Sequence, residues 1–287
     1  MRVLVVGGTS SLASALKPTL SECAEVVTAG RKGCDVHLDL GDPPGRIELP
    51  TGIDVVVNAA AHFGGKTFDD MLQAEAVNVL GVLNLCQACT DARVQHLILI
   101  SSIFASLDPG SPFFGAYALS KRHSDEMAQL YSATFGLPLT ILRPSQIYGV
   151  GEAYRKHQPF LFTIIDRATE DEDILIHGSN DARRNFIHVE DVVKVITLVI
   201  QRKLRGVYEC VNIENVTYSQ VAAAAIEALQ SKSIIKNVAG RPDIPDNAFA
   251  LDDTLFRLID YFPRISIREG MKKEAAHRGR AHRGRDG

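Results

Sequence analysis

Arg2-Val3-Leu4-Val5-Val6-Gly7-Gly8-Thr9-Ser10-Ser11-Leu12-Ala13 is the stretch that decides the fold. Val3 to Val6 are apolar with no two-residue alternation, as in a strand buried on both faces of a parallel sheet. A glycine pair ends that strand, and a helix from about Leu12 to Leu20 is predicted after it. The same unit recurs through the first half. Strands are predicted at Val26–Thr28, Val36–Leu38, Asp54–Asn58, Leu97–Ile100 and Leu139–Arg143, with helices at about Phe68–Asp91 and Ala118–Phe135. Strands alternating with helices specify an α/β fold with a doubly wound parallel sheet.

The second half is less regular. Helices are predicted at Pro159–Ala168, Val189–Ile200, Tyr218–Gln230 and Asp253–Tyr261, and strands at Asp173–Ile176 and Tyr208–Ile213. This predicts a Rossmann domain over residues 1–153, completed by 187–205, and a smaller mixed α/β C-terminal substrate lobe from 154–186 and 206–270. Ala275–Arg280 is nearly repeated by Ala281–Arg285, basic and without large apolar side chains, so 271–287 is predicted to be a disordered basic tail.

With 287 residues, 46% of them hydrophobic, the chain can build one sizeable core and a smaller lobe. A formal charge of -3 gives no global basic field, so nucleic acid is not an expected partner. No apolar run approaches a membrane span, so no membrane partner is expected either. The opening strand carries one charge and no cleavage pattern, which argues against a signal peptide and for a cytoplasmic protein. Five cysteines, an odd number, fit reduced thiols. Cys86 and Cys89 form a CxxC inside a helix with no second pair, so they are expected to pack, and no metal site is expected.

A dinucleotide turn needs a sharp bend, a small residue where pyrophosphate meets backbone N–H groups, and a small residue where helix meets sheet. Gly7, Ser10 and Ala13 can meet these demands, and the helix start at Ser11 and Leu12 favours phosphate charge. The second strand ends Thr28-Ala29-Gly30-Arg31, with no acid to hold a ribose diol. Arg31 can instead pair with a 2'-phosphate, so NADP is favoured slightly over NAD. Asp39-Leu40 would lie near the adenine, and Ala59, Ala60 and Ala61 would let the cofactor cross the sheet edge. Ser101 and Pro144 end neighbouring strands and complete the expected cofactor contacts.

Tyr117 and Lys121 stand at i and i+4, on one helix face. A free phenol has a pKa near 10, and a neighbouring ammonium favours its ionised form. Tyr117 can then exchange a proton with a substrate oxygen while hydride moves to or from carbon. Lys121 would also hold the nicotinamide ribose, and Ser102, past the fifth predicted strand, can bond the same substrate oxygen. Arg184 is a candidate phosphate clamp, and His62 a pocket-lining residue. His188 is expected in the core and Asp191 as a helix cap.

These features resemble the extended short-chain dehydrogenase/reductases, in the epimerase/dehydratase family acting on nucleotide sugars. The likeness covers roughly residues 1–270 and is carried by Tyr117–Lys121, Leu142–Gly149, Arg184–Asp191 and Asn78–Leu85. It implies the Ser/Thr-Tyr-Lys roles for Ser102, Tyr117 and Lys121, a nucleotide-diphosphate grip for Arg184, and a late nucleotide contact for Arg241. Ala61–Gly65 resembles the active-site loop of the fucose-nucleotide synthase branch. A homodimer through the helices at 68–91 and 118–135 is also implied. The chain departs from the pattern in lacking glycine at 10 and 13, in carrying Gln146 where the family has Asn facing the substrate, and in a short segment between Ser102 and Tyr117. Ile103 and Phe104 follow Ser102 where 4,6-dehydratases place an acidic pair. Two apolar residues cannot do that proton transfer, so the 4,6-dehydratase reading is rejected.

The expected activity is therefore an NAD(P)-dependent oxidoreductase on a nucleotide sugar. NADPH-dependent reduction of a 4-keto sugar is the first reading, resting on Arg31. An NAD-dependent 4-epimerase is the alternative. A free-sugar dehydrogenase and a non-enzymatic Rossmann scaffold come after them.

Overall fold

The computed structural model describes residues 1–238 and 240–283. The chain divides into two compact units, one from residues 1–144, 193–210 and 254–260, the other from 145–192, 211–253 and 261 onward. In chain order the first unit opens with β1 (Arg2–Val6), α1 (Ser11–Ser21), β2 (Glu25–Gly30), β3 (Val36–His37), β4 (Val55–Asn58) and α2 (Phe68–Glu75). A π-helical turn (Ala76–Leu80), α3 (Gly81–Asp91), β5 (His96–Ile100), a short 3-10 turn (Ile103–Ser106), α4 (Ala116–Phe135) and β6 (Leu139–Pro144) follow. The second unit holds β7 (Gln146–Tyr148), α5 (Pro159–Thr169), β8 (Ile174–His177), β9 (Arg183–Arg184) and β10 (Phe186–His188). The helix α6 (Val189–Arg202) returns the chain to the first unit and to β11 (Gly206–Cys210). Of the remaining elements, β12 (Val216–Thr217), α7 (Tyr218–Leu229), β13 (Ile235–Val238) and α9 (Ile267–Arg283) belong to the second unit, and α8 (Thr254–Ile259) to the first.

The first unit is built on a seven-stranded sheet in the order β11-β6-β5-β4-β1-β2-β3. Every neighbouring pair is parallel. Val3 to Val6 of β1 are at most 1% exposed, in line with their unbroken apolar run. Leu4 and Val6 join Val56, Leu97, Leu99 and Ile141 of the neighbouring strands in a core closed by Leu85, Cys86 and Cys89 of α3 and Ala128 and Tyr131 of α4. The two CxxC thiols are thus packing groups, and burial pushes the Cys86 thiol up to about 12. The strand order reverses at β1, which has β2 on one side and β4 on the other. Ligands of open α/β sheets bind outside the strand C-termini at such a switch point.

The second unit is mixed. Its strands pair two by two: β7 with β10 and β8 with β13 in parallel, β9 with β12 antiparallel. Phe162 and Ile164 of α5 and Val221 and Ala225 of α7 are buried in it.

Four expectations need correction. Residues 206–210 are the edge strand of the main sheet, paired with β6 from Gly206↔Thr140 to Cys210↔Pro144, and not part of the lobe. The helix at 254–259 also joins the first unit, which ends at Pro144 rather than residue 153 before resuming at Val193. The helix expected over 68–91 is interrupted by the π turn at 76–80. Finally, 271–283 is helical, not disordered; residues 284–287 of that expected tail lie outside the described residues. Met271 and Glu274 of α9 are buried. Arg278 donates to Glu274 Oε1 at 2.8 Å and to Asp166 Oδ1 of α5 at 2.9 Å, so this arginine of the basic segment is an ion-pair partner. No helix among the described residues is long and apolar enough to cross a membrane.

Candidate active site

At the switch point, Gly7 has φ +80° and donates its N–H to Ala29 O at 2.8 Å. A Cβ there would lie 2.7 Å from Ala60 N, so only glycine lets the first turn meet the end of β4. Ser10, expected for its small size, also has a structural job. It is the N-cap of α1, its Oγ accepting from Ala13 N at 3.2 Å. Ala13, 1% exposed, is the small residue at the helix–sheet contact. Leu12 is buried beside it, and Ser11 is half-buried. Gly8 was missed: a Cβ on it would meet the Thr28 Cβ at 2.6 Å, so the turn lies tight on β2.

Arg31 is exposed just beyond β2. Asp35, four positions on, accepts from Thr28 N at 2.8 Å and from Thr28 Oγ1 at 2.7 Å, and these bonds hold its carboxyl below the usual range. Asp39 is half-buried, its Oδ1 accepting from Gly41 N at 2.9 Å, and Leu40 is buried. Ala59, Ala60 and Ala61 are half-buried at the end of β4, with Ala60 N bonded to Asn58 Oδ1 at 3.1 Å. Ser101 and Pro144 are buried at the ends of β5 and β6. The glycine cradle, the small residues after β4 and the capped N-terminus of α1 therefore fit a dinucleotide.

Ser102 follows β5 and caps the 3-10 turn, its Oγ accepting from Phe104 N at 3.2 Å. Its hydroxyl lies near enough to Tyr117, in the first turn of α4, to favour the ionised phenol. Burial pushes the Tyr117 phenol up to about 12; the Ser102 hydroxyl works against that shift and the Asp125 charge adds to it. Lys121 is 5% exposed and donates from Nζ to Ile100 O at 2.9 Å. Burial lowers its pKa to about 8, opposed by Asp125. The structure thus gathers Ser102, Tyr117 and Lys121 in one place at the ends of β5 and α4.

A loop after β4 lies against this group. Asn78, from the π turn, accepts from His62 N at 2.8 Å, and its Nδ2 donates to His62 O at 2.8 Å and to Ser120 Oγ at 2.9 Å. His62 Nδ1 accepts from Gly64 N at 3.1 Å, so the neutral ring carries its proton on Nε2. Phe63, 56% exposed, stacks on Tyr117 with centroids 5.3 Å apart and planes at 19°. His62 is thereby tied through Asn78 to Ser120 of α4, and its neighbour Phe63 covers the α4 tyrosine. Asn78 and Asp125 were not among the expected site residues. The sequence hints were slight: an asparagine in a mostly apolar stretch, and a carboxylate one turn past a lysine.

Ile103 is buried and the Phe104 ring stacks on Phe113 at 6.2 Å, so the positions after Ser102 are apolar in space as well as in sequence. Arg122 ties this segment to α4 by donating to Ala105 O at 2.9 Å and to Leu107 O.

The remaining candidates lie in the second unit. Arg184 is 4% exposed; its Nε donates to Tyr218 Oη at 2.8 Å and its Nη1 to Pro245 O at 2.7 Å. Gln146 donates to Gln158 Oε1 at 3.2 Å. Arg241 is exposed. His188 is buried, edge-on to Tyr148 at 5.0 Å. Asp191 does not serve as the expected cap: its carboxylate accepts from Tyr261 Oη at 2.6 Å and from Arg264 and Ile265 N at 3.0 Å. No group of metal-binding side chains occurs among the described residues.

The sequence profile of the NAD dependent epimerase/dehydratase family matches residues 3–213. An uncharacterized UDP-glucose epimerase of Bacillus subtilis is 25% identical over 261 residues, 82% of this chain and 78% of that protein. A dTDP-4-dehydro-6-deoxy-D-allose reductase of Streptomyces bikiniensis is 26% identical over 250 residues, 79% and 74% of the two chains. The fold is shared with the UDP-glucose 4-epimerase of Thermus thermophilus in complex with NAD, at a TM-score of 0.74 and 22% identity over 96% of this chain and 98% of the other.

Proposed function

The chain belongs to the NAD-dependent epimerase/dehydratase family, and from that premise we propose that it is an NAD-dependent nucleotide-sugar 4-epimerase with Tyr117 as its acid/base. The observation that carries the reading is the buried Lys121, bonded to Ile100 O at the end of β5, one turn of α4 from Tyr117 and next to the Ser102 segment, in a unit whose glycine turn fits a dinucleotide. The Bacillus subtilis relative supports the sugar chemistry. This reverses the preference for a reductase drawn from Arg31 alone.

A bound nicotinamide supplies the hydride acceptor and donor. Ser102 Oγ and Tyr117 Oη converge on one sugar hydroxyl. Tyr117 takes the proton of that hydroxyl as hydride leaves carbon and returns a proton when hydride comes back. Buried and unassisted, the phenol stays protonated, so a cation beside it is required for the step; Lys121 is that cation in this chain. Gly7, the N-terminus of α1 and Ala59–Ala61 would hold the dinucleotide; in the second unit, the family likeness gives Arg184 and Arg241 a nucleotide-binding role. Apolar Ile103 and Phe104 leave no acid for water elimination.

Reduction of a 4-keto sugar with NADPH is the second reading. Exposed Arg31 in place of an acid after β2, and the Streptomyces bikiniensis relative, favour it.

Mass spectrometry of nucleotide bound to the purified protein, followed by incubation with UDP-hexoses, separates the two. Retained NAD and interconversion of 4-epimers is the expected result. An empty protein that oxidises NADPH only with a keto sugar would establish the reductase instead. In either case Tyr117→Phe should cut turnover by about 10²–10⁴-fold with nucleotide affinity kept, and an undiminished rate removes the acid/base role.

A further inference from the structure

Tyr117, Lys121 and Asp125 follow one another at four-residue steps, so they project from one stripe of α4. Asp125 is 1% exposed, and its Oδ2 accepts from Arg143 Nε at 2.7 Å. Arg143 stands near the end of β6, and its Nη1 donates to Ser106 Oγ at 3.1 Å. Lys121 is buried on the same stripe with the Ile100 carbonyl as its hydrogen-bond acceptor. A buried ammonium bonded to a neutral carbonyl tends to shed its proton, because low polarity disfavours the charge. A buried carboxylate one turn away reverses that tendency, provided the carboxylate is itself held ionised. Arg143 provides the second condition.

We propose that Asp125, anchored by Arg143, is a positioning residue that keeps Lys121 a charged ammonium beside Tyr117. The proposal rests on the reading that Lys121 serves Tyr117. The charged and titratable groups facing this stripe are Tyr117 and Asp125 on α4 and Arg143 on β6. From β5 and its end come the Ile100 carbonyl and the hydroxyls of Ser101 and Ser102. From α2, Glu75 faces α4 too, paired with His123 at 3.2 Å. The directions of titration agree with the geometry. Burial raises the Asp125 carboxyl, while Ser101, Arg143 and Lys121 lower it. Asp125 in turn raises Lys121 against the effect of burial.

The sign follows. Lys121 is charged below its pKa and neutral above it, so loss of the anion moves the loss of charge to lower pH. Asp125 also holds the Tyr117 phenol up, so activity alone mixes two opposed effects. The titration of Lys121 itself is the clean readout.

The test is an NMR titration of 13C-labelled lysine Cε in the full-length protein from neutral to alkaline pH, with Lys121 assigned by Lys121→Arg. Lys121 should titrate below ordinary lysines, and Asp125→Asn should lower its midpoint by about one unit, a tenfold change in acid strength. Asp125→Glu should restore it. Asp125→Leu combined with Arg143→Met, which exchanges the ion pair for apolar groups, covers the case in which the single variant does not fold. A Lys121 midpoint unchanged in either folded variant overturns the proposal. The titration needs no substrate, so a wrong assignment of the reaction leaves it readable.

Discussion

At Gly7 the difference between a hydrogen and a methyl group decides whether β1 and β4 can end side by side. Gly7→Ala combines a positive φ with a methyl 2.7 Å from the Ala60 nitrogen. It should lower stability by about 1–3 kcal/mol and weaken nucleotide binding together, measured by urea unfolding and by NAD titration. A variant as stable as the parent would show that the turn can relax. This glycine was legible from its neighbours in sequence, because a strand that must turn sharply into a helix leaves few choices. Ser10 was legible only in part: the sequence offered its small size, and its hydroxyl goes to capping the helix. Asn78 entered only as part of a helix that carries the family likeness, and Asp125 was not read as a site residue. Their bonds go to Ser120, 42 positions on, and Arg143, 18 positions on, so their value appears only when distant strands and helices meet.

Elements, unlike single residues, were read well wherever a strong period or apolar run marked them. β1, β4, β5, β6 and α4 lie close to where the sequence puts them. The π turn between α2 and α3 has no such mark. Its residues Ala76-Val77-Asn78-Val79-Leu80 suit an ordinary helix, and the extra residue per turn shows only in the backbone. Helices α2 and α4 also bear on assembly, an expectation that came from family likeness. Phe68, Met71 and Leu72 on α2 are 76%, 49% and 54% exposed, and Leu130 and Phe135 on α4 are 62% and 58% exposed. Large apolar groups left on neighbouring helices of one unit support a proposed homodimer through them. Light scattering should give twice the chain mass, and Leu130→Asp should lower it toward a monomer; a monomeric parent protein would end the proposal.

For the molecule as a whole, the alternation of strand and helix in the first half was enough for the class of fold. The limits of the two units were not legible. A short strand such as Gly206–Cys210 does not announce which sheet it will join, and here it pairs with β6. The C-terminal segment misled for a related reason. Its composition is basic and poor in large apolar residues, yet Met271 is 2% exposed, and Glu274 accepts from Gly151 N at 2.8 Å while Arg278 reaches α5. Deletion from Met271 onward should therefore lower the thermal midpoint and expose residues 145–192 and 211–253 to protease, whereas a dispensable tail would leave both unchanged. The interleaving of the two units has a consequence for biosynthesis. Translation delivers β1 to β6 in one unbroken stretch, so most of the parallel sheet can assemble on a nascent chain. The second unit must wait: Asp166 of α5 leaves the ribosome long before its partner Arg278 does. Through that interval α5 and α7 are made but not yet joined by α9, and this is the window in which a chaperone or protease would meet the chain.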